Sequence, residues 1–176
     1  AMRDGQQEMG KRQQEQRRGS VPISSFPFPI SYPLLRRLAE NALMEDRAWH
    51  DITTDALVPD DQQGRATLFA KEAGVLAGLP IARAVFTAAD GTLKWTEHME
   101  DAAHIRPGNH IARIEGPLAS ILRGERAALN YLSHLSGVAT ATARVVQALH
   151  GPDCPLRDTR KTIPGLRLLE KYAVHV

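Results

Sequence analysis

Five neighbouring polar residues near the end of the chain have the side chains needed to bind an anion. Asp158, Thr159, Arg160, Lys161 and Thr162 follow a short apolar stretch and precede a Pro-Gly pair. Arginine offers a planar fork of donors that matches a carboxylate, and lysine offers a compact charge that suits a phosphate. We expect Asp158 to hold one of the two cations and Thr159 to add a hydroxyl donor. A solvated loop with internal ion pairs is the alternative interpretation.

A second candidate is the adjacent pair Glu125 and Arg126. Arg126 lies beside an apolar stripe with helical spacing and is followed by small residues that permit close packing. Adjacent Glu and Arg are most often surface charge, so this pair alone defines no site. The seven histidines show neither HxH nor HExxH spacing, and neither GxxxxGK nor GxGxxG occurs. We therefore predict no metal ligands and identify no catalytic side chain, and the absence of these loops disfavours a P-loop or Rossmann nucleotide site.

The distribution of charge disfavours a nucleic-acid partner. Residues 1–20 hold five basic and three acidic residues, and the rest of the chain carries 17 of each, so the basic excess belongs to the tail. No apolar run approaches the length of about 18 residues that a membrane helix needs. The single cysteine, Cys154, fits a reducing compartment. These features predict a cytoplasmic protein without membrane or nucleic-acid partners.

The pattern of apolar residues predicts an α+β domain with a mixed sheet and helices over residues 34–117. Residues 1–33 are expected to form a disordered tail and a proline-rich lead-in. Asp51 and its neighbours read as turn and capping residues. Helices are predicted from "LLRRLAENALMED" and "LPIARAVFTAA", strands from "RATLFAK", "GVLAG", "TLKWTEH" and "HIARIEG", and a turn from "RPGN".

Residues 118–176 are predicted to be mainly helical. A helix begins at Leu118, Ser136 and Gly137 separate it from a second helix, and a short strand precedes the charged residues. The last helix is expected to start near Pro164. Helix, strand, charged loop and helix is the order of an α/β unit that binds its ligand at the strand's carboxyl end.

Read together, these segments resemble one enzyme family. The blocks "DITTDALVP", "KEAGVLAGLPIARAVF", "GERAALNYLSHLSGVATATARVV" and "DTRKTIPGLRLLEKYAV" are similar, in order, to quinolinate phosphoribosyltransferase, or nicotinate-nucleotide pyrophosphorylase (carboxylating). The resemblance runs from about residue 34 to the end of the chain. It implies that residues 118–176 begin a truncated, TIM-like α/β barrel.

The resemblance also implies an activity and roles for four residues. Members transfer ribose 5-phosphate from phosphoribosyl pyrophosphate to quinolinate with Mg²⁺, which enters with the phosphorylated sugar, and release pyrophosphate and CO₂ to give nicotinate mononucleotide for NAD synthesis. Arg126 would reach into the partner's site of a homodimer to bind quinolinate. Arg160 would bind a quinolinate carboxylate, and Lys161 would face phosphoribosyl pyrophosphate with Thr159 beside them.

The sequence departs from the family pattern at its end. After "EKYAVHV" members continue into a glycine run, a His-Arg pair, a further substrate Lys and acidic residues for metal and ribose. A barrel takes about 250 residues. We therefore expect a fragment of a larger enzyme that does not turn over as it stands.

Two rival interpretations stay open at this point. The first is the molybdenum-transport-associated homologue, which shares the scaffold. The second is a non-catalytic dimerising or biotinyl-like module, suggested by the rhythm of "HIRPGNHIARIEGPLASIL". That module needs a Lys at a hairpin tip to carry its cofactor, and this stretch has none.

Overall fold

The computed structural model describes residues 30–149 and 156–176. The predictions for the tail, for most of the proline-rich lead-in, for Cys154 and for most of the short strand lie outside these residues. At the edge of the lead-in the prediction was wrong, because helix α1 (Tyr32–Glu45) already begins at Tyr32. Its first turn contains Pro33, and a proline in the first turn costs the helix no hydrogen bond.

A three-stranded antiparallel sheet forms the centre of the first part of the chain. Its order is β1–β5–β3, with β1 at Gln63–Phe69, β3 at Lys94–Glu97 and β5 at His110–Pro117. Ile114 of the central strand faces Ala66 and Trp95 in the ladders and is fully buried. A second, two-stranded antiparallel sheet joins β2 (Gly74–Val75) to β4 (His104–Ile105).

Strand β2 is shorter than the predicted "GVLAG". The strand ends at Val75, and two residues later the Ala77 N–H donates to the Ser136 hydroxyl at 3.1 Å. Gly78 follows with φ +111°, a conformation that favours glycine. Helix α3 (Leu79–Ala89) then begins, with the bounds that the sequence predicted.

Between α1 and β1 lies a 3₁₀ turn (Ala48–His50) and the short helix α2 (Ile52–Leu57). The capping role predicted for Asp51 is confirmed, because its carboxylate accepts from the N–H groups of Thr53 and Thr54 at 3.1 and 3.2 Å. Asp51 caps the short helix α2, which the sequence had not predicted as an element of its own.

Helix α4 (Leu118–Ala148) is continuous over 31 residues, so the predicted break at Ser136 and Gly137 was wrong. Glycine inside a helix costs only about 1 kcal/mol relative to alanine. Tertiary contacts offset such a cost, since the Ser136 hydroxyl bonds to both backbone groups of Ala77 and Leu135 is fully buried.

The predicted apolar stripe of α4 is confirmed at Ile121, Leu132 and Leu135, which are buried, but not at Leu129. Leu129 is exposed, whereas Gly124, Ala127 and Ala128 are buried. Gly124 lies so close to α3 that an added Cβ would come within 2.7 Å of the Phe86 ring. The small residues allow this close approach of the two helices, as the sequence had suggested for the alanines.

The chain ends in helix α5 (Arg167–His175), which packs against α4 through buried Leu169 and Ala173. It begins three residues later than predicted, because Pro164 to Leu166 form a turn in which Gly165 has φ +84°. Within the described residues 156–163 no strand is assigned. No helix in the part of the chain that the structure describes combines the length and apolarity required to cross a membrane.

Candidate anion-binding site

The predicted cations Arg160 and Lys161 lie in a loop, residues 158–163, that leads into the turn before α5. Local backbone contacts shape this loop: Lys161 N–H donates to the Thr159 hydroxyl oxygen at 3.1 Å, and Thr162 N–H donates to the Arg160 carbonyl at 3.1 Å. The side chains of Thr159, Arg160 and Lys161 are exposed. Within the described residues, neither the Arg160 guanidinium nor the Lys161 ammonium has a hydrogen-bonded or ion-paired partner. Two adjacent positive charges are therefore presented to solvent.

Asp158 does not hold either of these cations, contrary to our expectation. Its carboxylate instead bonds to the ammonium group of Lys171, on α5. Both side chains are largely buried, with exposures of 18% for Asp158 and 10% for Lys171. Sequence reasoning missed Lys171, because lysine on a helix is usually exposed and only packing shows that this one points into the loop.

Three side chains of α5 contact the loop: Arg167, Glu170 and Lys171. Arg167 donates from Nε to the Thr162 hydroxyl at 3.1 Å and from Nη2 to the Arg160 carbonyl at 3.4 Å. Glu170 accepts the N–H of Ile163 at 3.3 Å, and Lys171 bonds to Asp158. The helix thus holds the loop at both ends and in the middle.

Helix α5 is in turn attached to the first part of the chain. The Tyr172 hydroxyl donates to Asp101, whose carboxylate also accepts the N–H groups of Gly78 and Leu79 at 3.0 and 3.1 Å. The Asp101 carboxylate therefore caps α3 and also accepts a hydrogen bond from α5, through Tyr172. Burial, followed by this hydrogen bond to Asp101, raises the pKa of Tyr172 well above its usual value.

Arg126 lies elsewhere, on the surface of α4. Its Nη1 donates to Asp46, the residue after α1, at 2.7 Å, and the arginine side chain is 69% exposed. The hydrogen bond and the charge of Asp46 raise the pKa of Arg126 above its usual value. No hydrogen bond or ion pair within the described ranges joins Arg126 to the loop of its own chain. The structure thus brings Thr159, Arg160 and Lys161 together and leaves Arg126 separate.

A surface rich in carboxylates surrounds Arg126. The hydrogen bond from the Thr54 hydroxyl is the largest cause that lowers the pKa of Asp51. The nearby positive charge of Arg126 also lowers this pKa. One turn earlier on α4, Arg123 bonds to Asp55 at 3.0 Å. Within the described chain, Arg126 therefore already has a carboxylate partner.

A cleft of about 680 Å³ lies between the β1–β2 segment and α4, away from these residues. Its walls include Phe69, Lys71, Leu129, Gly137 and Arg144, and none of the four predicted site residues lines it. Among the described residues there is also no group of three or more His, Cys, Asp or Glu side chains that could hold a metal ion. The chemistry that the site itself offers is the binding of anions by exposed cations and a hydroxyl.

Two family models match the chain. The N-terminal domain of quinolinate phosphoribosyl transferase matches residues 51–136, and the C-terminal domain of the same family matches residues 138–176. The boundary between the two matches falls inside α4. The second match contains the loop and α5, and the first contains Arg126.

Curated relatives agree with these matches. The probable nicotinate-nucleotide pyrophosphorylase [carboxylating] of Bacillus subtilis is 38% identical over 140 residues, which are 80% of this chain and 48% of that protein. The nicotinate-nucleotide pyrophosphorylase [carboxylating] of Mycobacterium leprae is 37% identical over 157 residues, or 88% of this chain and 54% of that protein. The chain therefore spans about half the length of the curated relatives it matches.

Solved structures show the same fold. NadC from Streptococcus pyogenes superposes with a TM-score of 0.80 at 40% identity, over 84% of this chain and 53% of that one. The nicotinate-nucleotide pyrophosphorylase from Francisella tularensis gives a TM-score of 0.76 at 35% identity, over 83% of this chain and 52% of that one.

Proposed function

This chain belongs to the quinolinate phosphoribosyltransferase family, and we propose that it contributes to phosphoribosyl transfer from phosphoribosyl pyrophosphate to quinolinate. The reaction couples this transfer to decarboxylation and yields nicotinate mononucleotide, pyrophosphate and CO₂ for NAD biosynthesis. The enzyme would be a glycosyltransferase of the pentosyl class. One observation carries the proposal: Arg160 and Lys161 are exposed side by side on a loop whose backbone is held by α5.

The two cations match the two substrates. Quinolinate carries two carboxylates, and the planar guanidinium of Arg160 can bind one of them with two parallel hydrogen bonds. Lys161 offers a compact ammonium suited to a phosphate of phosphoribosyl pyrophosphate. The Thr159 hydroxyl oxygen accepts from Lys161 N–H, so its own proton can be donated to a substrate oxygen.

Arg126 would complete the quinolinate site of a second copy in a homodimer. Two features of the described chain support this role: the guanidinium is largely exposed, and it bonds to Asp46 rather than to any group near the loop. A dicarboxylate needs at least two well-aimed cations. The loop supplies only one for quinolinate, Arg160, because Lys161 is assigned to the phosphorylated sugar. The site is therefore incomplete without a partner.

The chain's own residues would act by binding and charge stabilisation. When pyrophosphate leaves the ribose, positive charge develops at the sugar carbon and negative charge at the departing oxygens, where Lys161 would lie. The ring nitrogen, positive after transfer, would stabilise the carbanion that loss of CO₂ leaves. No protein nucleophile is required, and none is proposed.

Mg²⁺ would enter with phosphoribosyl pyrophosphate and neutralise its phosphate oxygens. The described residues do not fit a protein-held ion, because no group of three or more His, Cys, Asp or Glu side chains among them could hold one. No step above therefore depends on a metal that this chain binds directly.

The remaining parts of the proposal concern architecture and location. Residues 156–176 would be the first unit of a TIM-like α/β barrel, since the family's C-terminal domain model begins at residue 138 and continues through α5. A cytoplasmic location is supported by the single cysteine, which fits a reducing compartment. The rival functions, a molybdenum-transport-associated homologue and a biotinyl-like module, are not favoured by the names of the relatives.

The direct test is a titration of the 176-residue chain with each substrate. The chemical shifts of the loop amides report binding. Arg160→Ala should weaken quinolinate binding by about 2 kcal/mol, roughly thirtyfold, while phosphoribosyl pyrophosphate binding changes less. Lys161→Ala should show the reverse. Arg83→Ala, at an exposed position of α3, is the matched control and should change neither affinity. Equal losses for both ligands in both variants would contradict the assigned roles.

The role of Arg126 needs a chain of family length. We would build a chimera in which this chain replaces the matching part of the M. leprae relative. Arg126→Ala should lower kcat/KM for quinolinate by more than about tenfold, because it removes one cation from each site of the dimer. Mixing this variant with an Arg160→Ala chimera should restore part of the activity, since one of the two sites in a mixed dimer then has both arginines. Activity that survives Arg126→Ala, or no gain on mixing, would refute the shared site.

A further inference from the structure

Two consecutive residues of α5, Glu170 and Lys171, hold opposite ends of the loop that carries the exposed cations. We propose that they are positioning residues, which act through the loop backbone to fix the geometry in which Arg160 and Lys161 meet their anions. We call Glu170, Lys171 and His134 the loop clamp. The inference rests on the proposed function for the identity of the anions, and it adds residues that touch neither substrate.

Glu170 uses both carboxylate oxygens. Oε1 lies 2.9 Å from Nε2 of His134 on α4, and Oε2 accepts Ile163 N–H at 3.3 Å. The carboxylate is only 13% exposed, so these bonds are shielded from competing water. His134 fixes the position of one oxygen, and the other oxygen is thereby aimed at the end of the loop.

Lys171 holds the beginning of the loop. Its ammonium bonds to Asp158 and lies 3.4 Å from the Thr159 carbonyl oxygen. Because both charges are largely buried, loss of either one would take a charged partner from the other. Lys171 is therefore committed to the loop and differs from Lys161, whose ammonium faces solvent.

The clamp has a clear physical purpose. Arg160 and Lys161 are adjacent like charges that repel each other, and a loop free to move would separate them and aim them variably. With Asp158 and Ile163 held by a single helix, the intervening residues have little freedom left. The entropy of ordering the loop is then lost on folding rather than on binding, which favours tight binding of an anion.

The first measurement is amide hydrogen exchange in the 176-residue chain without ligand. Glu170→Met and Lys171→Met should speed exchange of the Lys161, Thr162 and Ile163 amides by about tenfold, the effect of losing an ordinary hydrogen bond. Glu100→Met and Lys94→Met remove the same charges at exposed positions and should leave these rates unchanged. Unaltered exchange in both clamp variants would overturn the inference.

The second measurement is the affinity of the same variants for quinolinate and for inorganic pyrophosphate. Residues that orient metal ligands change metal affinity by about 10- to 100-fold when they are mutated, and by analogy we expect a loss in that range for both anions. Lys171→Arg, which keeps the charge that pairs with Asp158, should recover most of it. Thermal unfolding of each variant shows whether it is folded at the temperature of the titration.

The outcomes separate this inference from the proposed function. Faster exchange with an affinity equal to that of the unmodified chain would refute positioning, because the loop would then bind without its clamp. An equal loss in Lys171→Arg and Lys171→Met would also refute it. If the unmodified chain binds neither anion, the proposed function fails, and the exchange rates alone still decide whether the clamp orders the loop.

Discussion

Arg126 and Arg160 are both exposed arginines proposed to bind carboxylates, but the molecule holds them in different ways. Arg126 is held by its guanidinium, through one exposed ion pair with Asp46. Arg160 is held by its backbone, whose carbonyl accepts from Arg167, while its guanidinium has no partner among the described residues. If the arginines bind carboxylates as proposed, a ligand at Arg126 would displace Asp46, whereas a ligand at Arg160 would meet a guanidinium that is already exposed.

The two regions also differ in how far a disturbance should spread. The loop belongs to a chain of contacts that runs through α5 to Tyr172, then to Asp101 and the start of α3. The Arg126 pair joins a largely exposed guanidinium to one carboxylate that is 21% exposed. A change in the first region should therefore act at a distance, and a change in the second should remain local.

The largest effect is expected from Asp101→Ala. The substitution removes the cap of α3, typically worth about 1 kcal/mol, and the bond from Tyr172 to a charged acceptor, worth about 2 kcal/mol, so unfolding should require about 3 kcal/mol less. Urea unfolding measures the loss. Asp61→Ala, in the exposed turn before β1, is the control and should be nearly neutral. We expect the loop amides to exchange faster in Asp101→Ala. Unchanged exchange rates, at a temperature where the variant stays folded, would contradict the claim that a change at Asp101 spreads to the loop.

A smaller and pH-dependent effect is expected from Tyr172→Phe. The variant keeps the ring and loses the bond to Asp101, at a cost of about 2 kcal/mol near neutral pH. Because the folded pKa of Tyr172 is raised, its contribution is complete below the unfolded pKa of about 10 and is lost as pH rises toward the folded value.

Urea unfolding of both proteins between neutral pH and pH 11 checks this sign. The difference in free energy of unfolding between the original chain and Tyr172→Phe should shrink as the pH passes 10. Tyr32→Phe changes an exposed tyrosine at the start of α1 and serves as the control. A difference that stays constant or grows at alkaline pH would contradict the role assigned to the hydroxyl.

The smallest effect is expected from Asp46→Asn. Exposed ion pairs contribute little to stability, so the unfolding midpoint should stay within error of the unmodified chain. In the chimera, quinolinate affinity should rise or remain unchanged, because the arginine no longer has to leave a carboxylate. A large loss of affinity would show that Asp46 aims Arg126, and the contrast between the two arginines would then disappear.

Local signals in the sequence determined a large share of this structure. The bounds of α3, the Asp51 cap and the strand periodicity of β5 follow from residue types at fixed spacing, because backbone preference and capping act over a few residues. The "DTRKT" and "GERAALN" blocks were likewise enough by themselves to indicate the family and the cationic residues. Arg160 and Lys161 are exposed, so the anion-binding chemistry proposed for them rests on residue type and not on contacts within the chain.

Only the tertiary structure decided how those residues are held. The break predicted at Gly137 is absent because Ser136 bonds to Ala77, 59 residues earlier in the chain. Asp158 pairs with Lys171 rather than with its neighbours, and Asp101 joins α3 to α5. Each contact links groups distant in sequence whose partner depends on packing and burial. Residue type determined which anions the cations could bind. The folded chain determined that Arg160 and Lys161 face solvent, whereas Lys171 pairs with Asp158.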